Sequence, residues 1–269
     1  MRKLLLTLLL PVHAVLATPA GLWEQADPAS LATLDHSAWE GVLAAYVHRG
    51  DDGIHRVDYN GLRGSDDAAV LATYIRSLEA ADPRTLNPAE QMAFWINLYN
   101  AVTVQVVLDH PGKNSIKRMG RGWLPFGPWD DKLVQVLEVE LTLNDIEHNI
   151  LRPIFQDHRI HYAVNCASIG CPNLQRTAFT GATLEAQLAS AEAQYLNHPR
   201  GVRIDTAGRV HLSSIYKWYR DDFAADEAGL LTHLAERHTQ LGPTLASYAG
   251  DIEYDYDWSL NRRAPDKAK

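Results

Sequence analysis

The stretch NPAEQMAFWINLYNAVTVQVVLDHP, residues 87 to 111, decides the fold of this chain. Asn87 is a favoured N-cap residue, Pro88 suits the first helical position, and Pro111 ends the pattern. The residues between them are apolar on nearly every side, so a helix formed here has no face suited to water. The segment therefore predicts a long helix that lies buried at the centre of the molecule.

Shorter periodic segments lie on both sides of this helix. Residues 36–50 and 66–82 predict amphipathic helices, and residues 159–166 predict a strand by their β-branched and aromatic content. A hairpin with Gly208 in its turn and a last strand within 251–260 follow. Because helices and strands alternate irregularly, we predict an α+β fold: a single domain with a buried central helix and a small mixed or antiparallel sheet.

The N-terminus has the pattern of an export signal. Arg2 and Lys3 precede a short apolar run over residues 4–17, which is followed by small residues. This pattern predicts a secretory signal peptide over residues 1–20. We therefore expect residues 21–269 to form one globular domain that is periplasmic or secreted, with no integral membrane segment in the mature chain.

The composition is that of a globular protein and excludes some partners. The chain has 269 residues, of which 46% are apolar and 22% charged, and its formal net charge is −8. No basic run is long enough to follow a phosphate backbone, so we predict that nucleic acid is not a partner.

Both cysteines lie in HYAVNCASIGCPNL, residues 161–174, with four residues between them. In an oxidising compartment Cys166 and Cys171 could form a disulfide, although the short loop makes the geometry demanding. A redox pair and a reactive thiol are the alternatives. The spacing matches no standard metal signature, so we predict no metal and no cofactor.

A loop rich in glycine and large aromatic residues spans residues 117–132. Apolar side chains on such a loop need cover from the core or from a ligand. Trp123 and Trp129 are therefore candidate binding residues that close over a groove, with a satellite core as the alternative.

Five segments together resemble the family called domain of unknown function 547, in the form of an exported bacterial member. They cover about residues 50–261 and read, in order, AFWINLYNAVTV (93–104), LTLNDIEHNILR (141–152), HYAVNCASIGCPNL (161–174), LSSIYKWYRDDF (212–223) and YDWSLN (256–261). The resemblance implies no settled activity, but it suggests a relation to papain-like or transglutaminase-like thiol enzymes. The family pattern carries over onto Asn97, Asn100, Glu147, His148, Arg152 and Cys166. The glycine that usually follows the first cysteine is Ala167 here, which would make a positive φ less comfortable.

These residues predict a thiol mechanism. Cys166 would be the nucleophile, because the predicted strand fixes it and the turn of small residues exposes it. His148 is the first candidate for the base, in a helix that Asn144 and Glu147 would open as a capping box. His161 is the second candidate, weakened because a regular strand would point it to the face opposite Cys166.

Asn97 and Asn100 could orient the histidine or donate to an oxyanion, or tie the helix to neighbouring loops. Glu147 could orient a neighbouring group, and Arg152 is a candidate binding residue. The sequence thus predicts a hydrolase or acyltransferase that acts on a peptide, the cell wall or a small acyl compound. The rival prediction is a non-catalytic binding or assembly module with a structural disulfide between Cys166 and Cys171.

Overall fold

The long helix predicted from the sequence lies at the centre of the computed structural model, which describes residues 19–121 and 126–263. It spans Pro88–Asp109, and the Asn87 side chain accepts a hydrogen bond from the backbone N–H of Glu90 at 3.0 Å. Nearly every residue of the helix is buried, including the polar side chains of Asn97 and Asn100. The prediction of a buried central helix is confirmed.

The helices, in chain order, are α1 (Pro19–Trp23), α2 (Ser37–Tyr46), α3 (Tyr59–Arg63), α4 (Asp67–Glu79), α5 (the central helix), α6 (Arg152–Phe155), α7 (Ile160–Ala163), α8 (Leu184–Leu196), α9 (Ser214–Trp218), α10 (Arg220–Phe223), α11 (Glu227–Arg237) and α12 (Gly242–Ala246). Short 3₁₀ helices span Pro83–Thr85 and Ile116–Arg118, and a π-helical segment spans Asp145–Leu151. Within the described ranges, no helix combines the length and apolar character needed to cross a bilayer.

The strands are short and form three small sheets. Strands β1 (Val47–Arg49) and β2 (His55–Val57) pair antiparallel, as do β3 (Val134–Val136) and β4 (Val139–Leu141). In the third sheet β5 (Val202–Ile204) pairs antiparallel with β6 (Val210–Ser213), which pairs parallel with β7 (Glu253–Asp255). The α+β class with a small mixed sheet is confirmed, and Gly208 has the positive φ of 81° that the hairpin turn requires.

The strand predicted over residues 159–166 is wrong. Residues Ile160–Ala163 form helix α7, and the backbone becomes extended only at Val164. A neighbouring strand is not needed, because the Asn100 side chain donates to the Ala163 carbonyl at 2.9 Å and accepts from the Asn165 N–H at 2.8 Å. An amide of the central helix thus takes the hydrogen bonds that a sheet partner would have made.

The predicted capping box of Asn144 and Glu147 is also wrong, by two residues. Thr142 and Asp145 form the reciprocal pair instead: the Thr142 hydroxyl accepts from the Asp145 N–H, and the Asp145 carboxylate accepts from the Thr142 N–H, both at 2.9 Å. Asn144 already has helical backbone angles and donates to Asp130 at 2.7 Å. Glu147 is therefore free of any capping role.

The buried apolar residues form two clusters. The larger surrounds α5 and includes side chains from α2, α4 and the π-helical segment. The smaller is built from α8, β5, β6, α9 and α11. The segment that contains Cys166 passes between the two clusters, because Val164 and Ala167 belong to the larger one whereas Tyr162 belongs to the smaller one.

Candidate active site

A cavity of about 250 Å³ lies where the two clusters meet. Tyr99 of the central helix and Val164 line it from the larger cluster, and Ile215 lines it from the smaller one. Cys166 and His161 both reach this cavity, so the structure brings these two predicted residues to one place.

The backbone around Cys166 is held in an unusual turn. Ala167 has a φ of 57°, the left-handed conformation that glycine usually supplies. The Asn165 side chain stabilises this turn, since its oxygen accepts from the Ala167 N–H at 2.9 Å and its nitrogen donates to the Pro172 carbonyl at 2.6 Å. The turn closes the loop so that Cys171 faces Cys166.

The sulfur of Cys166 is surrounded by groups that can donate a hydrogen bond. Its Sγ lies 3.2 Å from the Cys171 sulfur, 3.2 Å from the Ser168 hydroxyl and 3.1 Å from the Tyr256 hydroxyl. Donation from Cys171 lowers the pKa of the Cys166 thiol most, and the two hydroxyls add to that effect against the opposing effect of burial. Cys166 is also partly exposed, so a reagent in the cavity can reach a thiolate there.

Cys171 has the opposite character. It is a free thiol that is 4% exposed, and its sulfur accepts a hydrogen bond from the Cys166 N–H at 3.0 Å. Burial raises the pKa of the Cys171 thiol well above its ordinary value, and the neighbouring Cys166 raises it further. The sulfur–sulfur distance of 3.2 Å exceeds the bond of about 2.05 Å in a disulfide, so the two residues are distinct thiols in this structure.

His161 is held on the cavity wall by two carboxylates. Its Nε2 lies 2.6 Å from an Asp222 oxygen, and its Nδ1 lies 3.8 Å from an oxygen of the buried Glu147. The Tyr219 ring stacks on the imidazole with the centroids 4.2 Å apart. These contacts fix both the position and the plane of the ring.

Asp222 is in turn held by Arg152, whose guanidinium donates to both carboxylate oxygens at 2.5 and 3.0 Å. Burial opposes ionisation of Asp222, but the hydrogen bonds from His161 and Arg152 outweigh it and hold the pKa of Asp222 well below its usual range. An ionised Asp222 accepts from Nε2 of His161, which leaves Nδ1 as the nitrogen that faces Glu147.

Two further tyrosine side chains contribute to the cavity wall. Tyr99 and Tyr219 both line it, and burial raises the pKa of each well above its ordinary value, with Glu147 and Cys166 as further causes. Both side chains therefore remain neutral phenols that can donate a hydrogen bond to an oxygen that develops negative charge.

Aromatic rings make up the apolar side of the cavity. Trp129 packs edge-on against Trp258 with the centroids 5.7 Å apart, and Trp218 lies within 5.6 Å of Trp258 and 4.9 Å of Tyr256. Trp218 is 48% exposed, so this side is open to solvent. The predicted loop residue Trp129 is at the cavity, whereas Trp123 lies outside the described residues.

His148, the first candidate for the base, does not line the cavity. Its Nδ1 accepts from Arg152 at 3.2 Å, and its ring lies beside Tyr219 with the centroids 5.8 Å apart. His148 and Arg152 do share a helix face, as the spacing predicts. His161 does not point away from Cys166 as a regular strand would require, because it lies on helix α7 and lines the same cavity.

Asn97 and Asn100 each hydrogen-bond to the backbone through both the oxygen and the nitrogen of the side-chain amide. Asn97 donates to the Phe179 carbonyl at 2.7 Å and accepts from the Phe179 N–H at 3.0 Å. Asn100 makes the equivalent pair with Ala163 and Asn165, which lie between His161 and Cys166. In the structure, both amides therefore connect the central helix to neighbouring segments of the backbone.

Several residues that line the cavity, or that contact Cys166 or His161 beside it, are not among the candidates named from the sequence. The residues missed are Tyr99, Ser168, Trp218, Tyr219, Asp222, Tyr256 and Trp258. The one available signal was the density of tryptophan, tyrosine and aspartate in those two segments, since such residues often form binding sites.

Residues 83–196 match the model of a family described as "Protein of unknown function, DUF547". The predicted resemblance is confirmed over this span, which contains His161, Cys166 and Cys171 but ends before Asp222 and Tyr256. No curated protein and no solved structure matches the chain. The relation to papain-like or transglutaminase-like enzymes therefore stays a prediction.

Proposed function

We propose that this chain, whose central part matches a family of unknown function, is an exported thiol-dependent hydrolase or acyltransferase. The observation that carries the proposal is the environment of Cys166. A partly exposed sulfur lies within 3.2 Å of the Cys171 sulfur and of the Ser168 and Tyr256 hydroxyls, and it opens onto a cavity lined by ionisable and aromatic side chains. A thiolate stabilised in this way is a nucleophile at neutral pH.

The first step is attack of the Cys166 thiolate on the carbonyl carbon of an ester or amide. The new carbon–sulfur bond places negative charge on the carbonyl oxygen, and in our proposal the neutral phenols of Tyr99 and Tyr219, which line the cavity, stabilise that charge. The bond to the leaving alcohol or amine then breaks as that group takes a proton from a general acid in the cavity. The product of this half-reaction is a thioester on Cys166.

The second step returns the enzyme to its starting state. Water, or an alcohol or amine acceptor, attacks the thioester carbon and gives a proton back to the same side chain, which now acts as a general base. The carbon–sulfur bond then breaks, and Cys166 leaves as the thiolate. Hydrolysis and acyl transfer differ only in the acceptor. Both half-reactions therefore need one group that first donates and then accepts a proton.

His161, rather than His148, has this role in our proposal. Among the described residues that contact the Cys166 sulfur there is no imidazole, so a direct cysteine–histidine ion pair is not part of the mechanism. His161 acts instead on the leaving group and the incoming acceptor, through Nδ1 and the adjacent Glu147. Asp222 and Arg152 are positioning residues that keep the proton on Nε2.

The cavity walls suggest the class of substrate. The rings of Trp129, Trp218 and Trp258 offer an apolar surface beside the thiol, which suits an acyl group with flat or aliphatic character. A peptide, a cell-wall fragment and a small acyl compound all supply such a group next to an ester or amide bond. Nucleic acid is not a partner in this proposal. The export signal proposed for residues 1–20 would bring the enzyme to substrates outside the cytoplasm.

Intact-mass measurement after incubation with activated acyl esters tests the proposed function. Wild-type protein should gain one acyl mass that peptide mapping places on Cys166, and the adduct should disappear when hydroxylamine is added. Cys171→Ala should still form the adduct, whereas Cys166→Ser should not. Acylation that is equal in wild-type and Cys166→Ser protein would contradict the proposal and favour the binding or assembly module.

A further inference from the structure

We propose that His158, Glu192 and His233 form a binding site for a divalent transition-metal ion of the zinc class. His158 lies just before α7, Glu192 on α8 and His233 on α11. One ligand atom from each residue lies within 4.8 Å of the other two. None of the three lines the thiol cavity, so this site is independent of the function proposed above.

The three side chains already lie in contact with one another. Nε2 of His158 lies 2.9 Å from an oxygen of Glu192, and the rings of His158 and His233 meet almost at right angles with the centroids 4.6 Å apart. Each residue is partly exposed, so an ion can enter from solvent. Small rotations about the side-chain torsions would bring each of the three ligand atoms to about 2.0–2.2 Å from a bound zinc ion, which is the usual zinc–ligand distance.

An unpartnered nitrogen is the second observation. Nε2 of His233 is buried, and within the described part of the chain it has no hydrogen-bond partner. A buried imidazole nitrogen without a partner is costly unless another group satisfies it. A metal ion that shares this nitrogen with His158 and Glu192 would supply that missing partner.

The donor set determines the class of ion. Two imidazoles and one carboxylate suit zinc and its transition-metal neighbours better than calcium or magnesium, which prefer oxygen ligands. Three protein ligands also leave a coordination position for water or an exogenous group. The rings of Tyr162 and Phe223 pack against His158, with centroids 6.3 and 5.8 Å away, and provide the apolar shell that metal sites commonly have.

The ion would replace one existing interaction. Nε of Arg237 lies 3.7 Å from the Glu192 oxygen that also contacts His158. Arg237 is solvent-exposed and has other partners, the carboxylate of Glu236 and the backbone carbonyl of His233. It can therefore leave Glu192 without being buried unpaired. The bound ion would then join the turn before α7 to both α8 and α11.

Equilibrium dialysis of tag-free protein against Zn²⁺, followed by elemental analysis, tests this site. Because thiols also bind zinc, the measurements are made in a Cys166→Ser/Cys171→Ser background, which leaves the three proposed ligands intact. This protein should hold one zinc ion per chain. Adding His233→Gln or Glu192→Gln should weaken binding by at least about tenfold.

His238→Gln in the same background is the matched control. His238 is also buried with an unpartnered Nε2 among the described residues, but it is not one of the three clustered ligands. It should leave zinc binding unchanged, and circular dichroism should show that each variant is folded. Co²⁺ bound in the same background should give visible absorption bands that His233→Gln removes. Failure of the background protein to bind either ion, or equal binding by His233→Gln, would overturn the proposal.

Discussion

The hydroxyl oxygen of Tyr256 lies 3.1 Å from the sulfur of Cys166, although 90 residues separate them in the sequence. The same hydroxyl lies 2.8 Å from that of Ser168, so the three atoms form a closed group. Burial, and then the proximity of Cys166, raises the pKa of Tyr256 well above its ordinary value. The phenol therefore keeps its proton and can donate a hydrogen bond to a thiolate, so removal of the Tyr256 hydroxyl should change the ionisation of Cys166.

Tyr256→Phe should slow alkylation of Cys166 at neutral pH. A hydrogen bond to a charged group contributes about 1.5–3 kcal/mol, and about 1.4 kcal/mol corresponds to a factor of ten, so the thiolate population should fall about tenfold or more. Tyr254→Phe is the control, because its hydroxyl contacts Glu227 and not the thiol. The rate is measured by iodoacetamide labelling and peptide mass mapping. Equal rates for the two variants would show that the Tyr256 hydroxyl does not stabilise the thiolate.

Mild oxidation should join Cys166 to Cys171. The two sulfurs are 3.2 Å apart and need to approach by only about 1.2 Å to reach disulfide length, while the oxidant, for example oxidised glutathione, takes up the two electrons. The oxidised protein should lose two hydrogen masses and fail to form an acyl adduct until a reductant is added. Cys171→Ala should form no internal disulfide. Persistence of two free thiols at high oxidant concentration would contradict this prediction and the structural-disulfide alternative together.

Asn100→Ala should disturb the site as well as the fold. The substitution leaves the Ala163 carbonyl and the Asn165 N–H without partners, and each unsatisfied buried group costs about 1–3 kcal/mol of unfolding free energy. Asn97→Ala removes an equivalent pair of bonds at Phe179 and is the matched control. Urea denaturation should show a loss of stability in both variants. Only Asn100→Ala should also change the rate of Cys166 alkylation, and an equal effect on that rate by Asn97→Ala would argue against a positioning role for Asn100.

Asp222→Asn should lower stability at neutral pH more than in acid. An aspartate whose folded pKa lies well below its unfolded value of about 3.9 contributes stability that is present above about pH 3.9 and lost as the pH falls through the folded pKa. The difference in unfolding free energy between wild type and variant should therefore be largest near pH 7. It should shrink toward the lowest pH at which both proteins remain folded. Urea midpoints across this range check the prediction, and a difference that is independent of pH would contradict it.

The central features of the fold could be predicted because they depend on local pattern. The cap at Asn87 and the continuous apolar character of residues 88–109 identify the buried helix without knowledge of its neighbours. The hairpin around Gly208 is likewise set by turn chemistry. The segment 159–166 could not be predicted in this way. Its strand propensity is overridden by a tertiary contact, the amide of Asn100.

The candidate site was only partly predictable for the same reason. Cys166 stands out because the chain has two cysteines and a turn of small residues. The preference for His148 over His161 depended on the assumption that His161 lies on a regular strand, whereas residues Ile160–Ala163 form helix α7. Asp222 and Tyr256 reach the site from distant segments, and the cluster of His158, Glu192 and His233 also joins three separate parts of the chain. No spacing rule connects such residues before the fold is known.

The pH dependence of iodoacetamide labelling at Cys166 tests the central claim most directly. Reduced wild-type protein is labelled briefly at a series of pH values from about 5 to 10, and the modified cysteines are identified by peptide mass mapping. We predict that Cys166 reacts selectively with a midpoint below the value of about 8.5 that is typical of a free cysteine, while Cys171 stays unmodified. A midpoint for Cys166 at or above that value, or equal labelling of the two cysteines, would contradict the account.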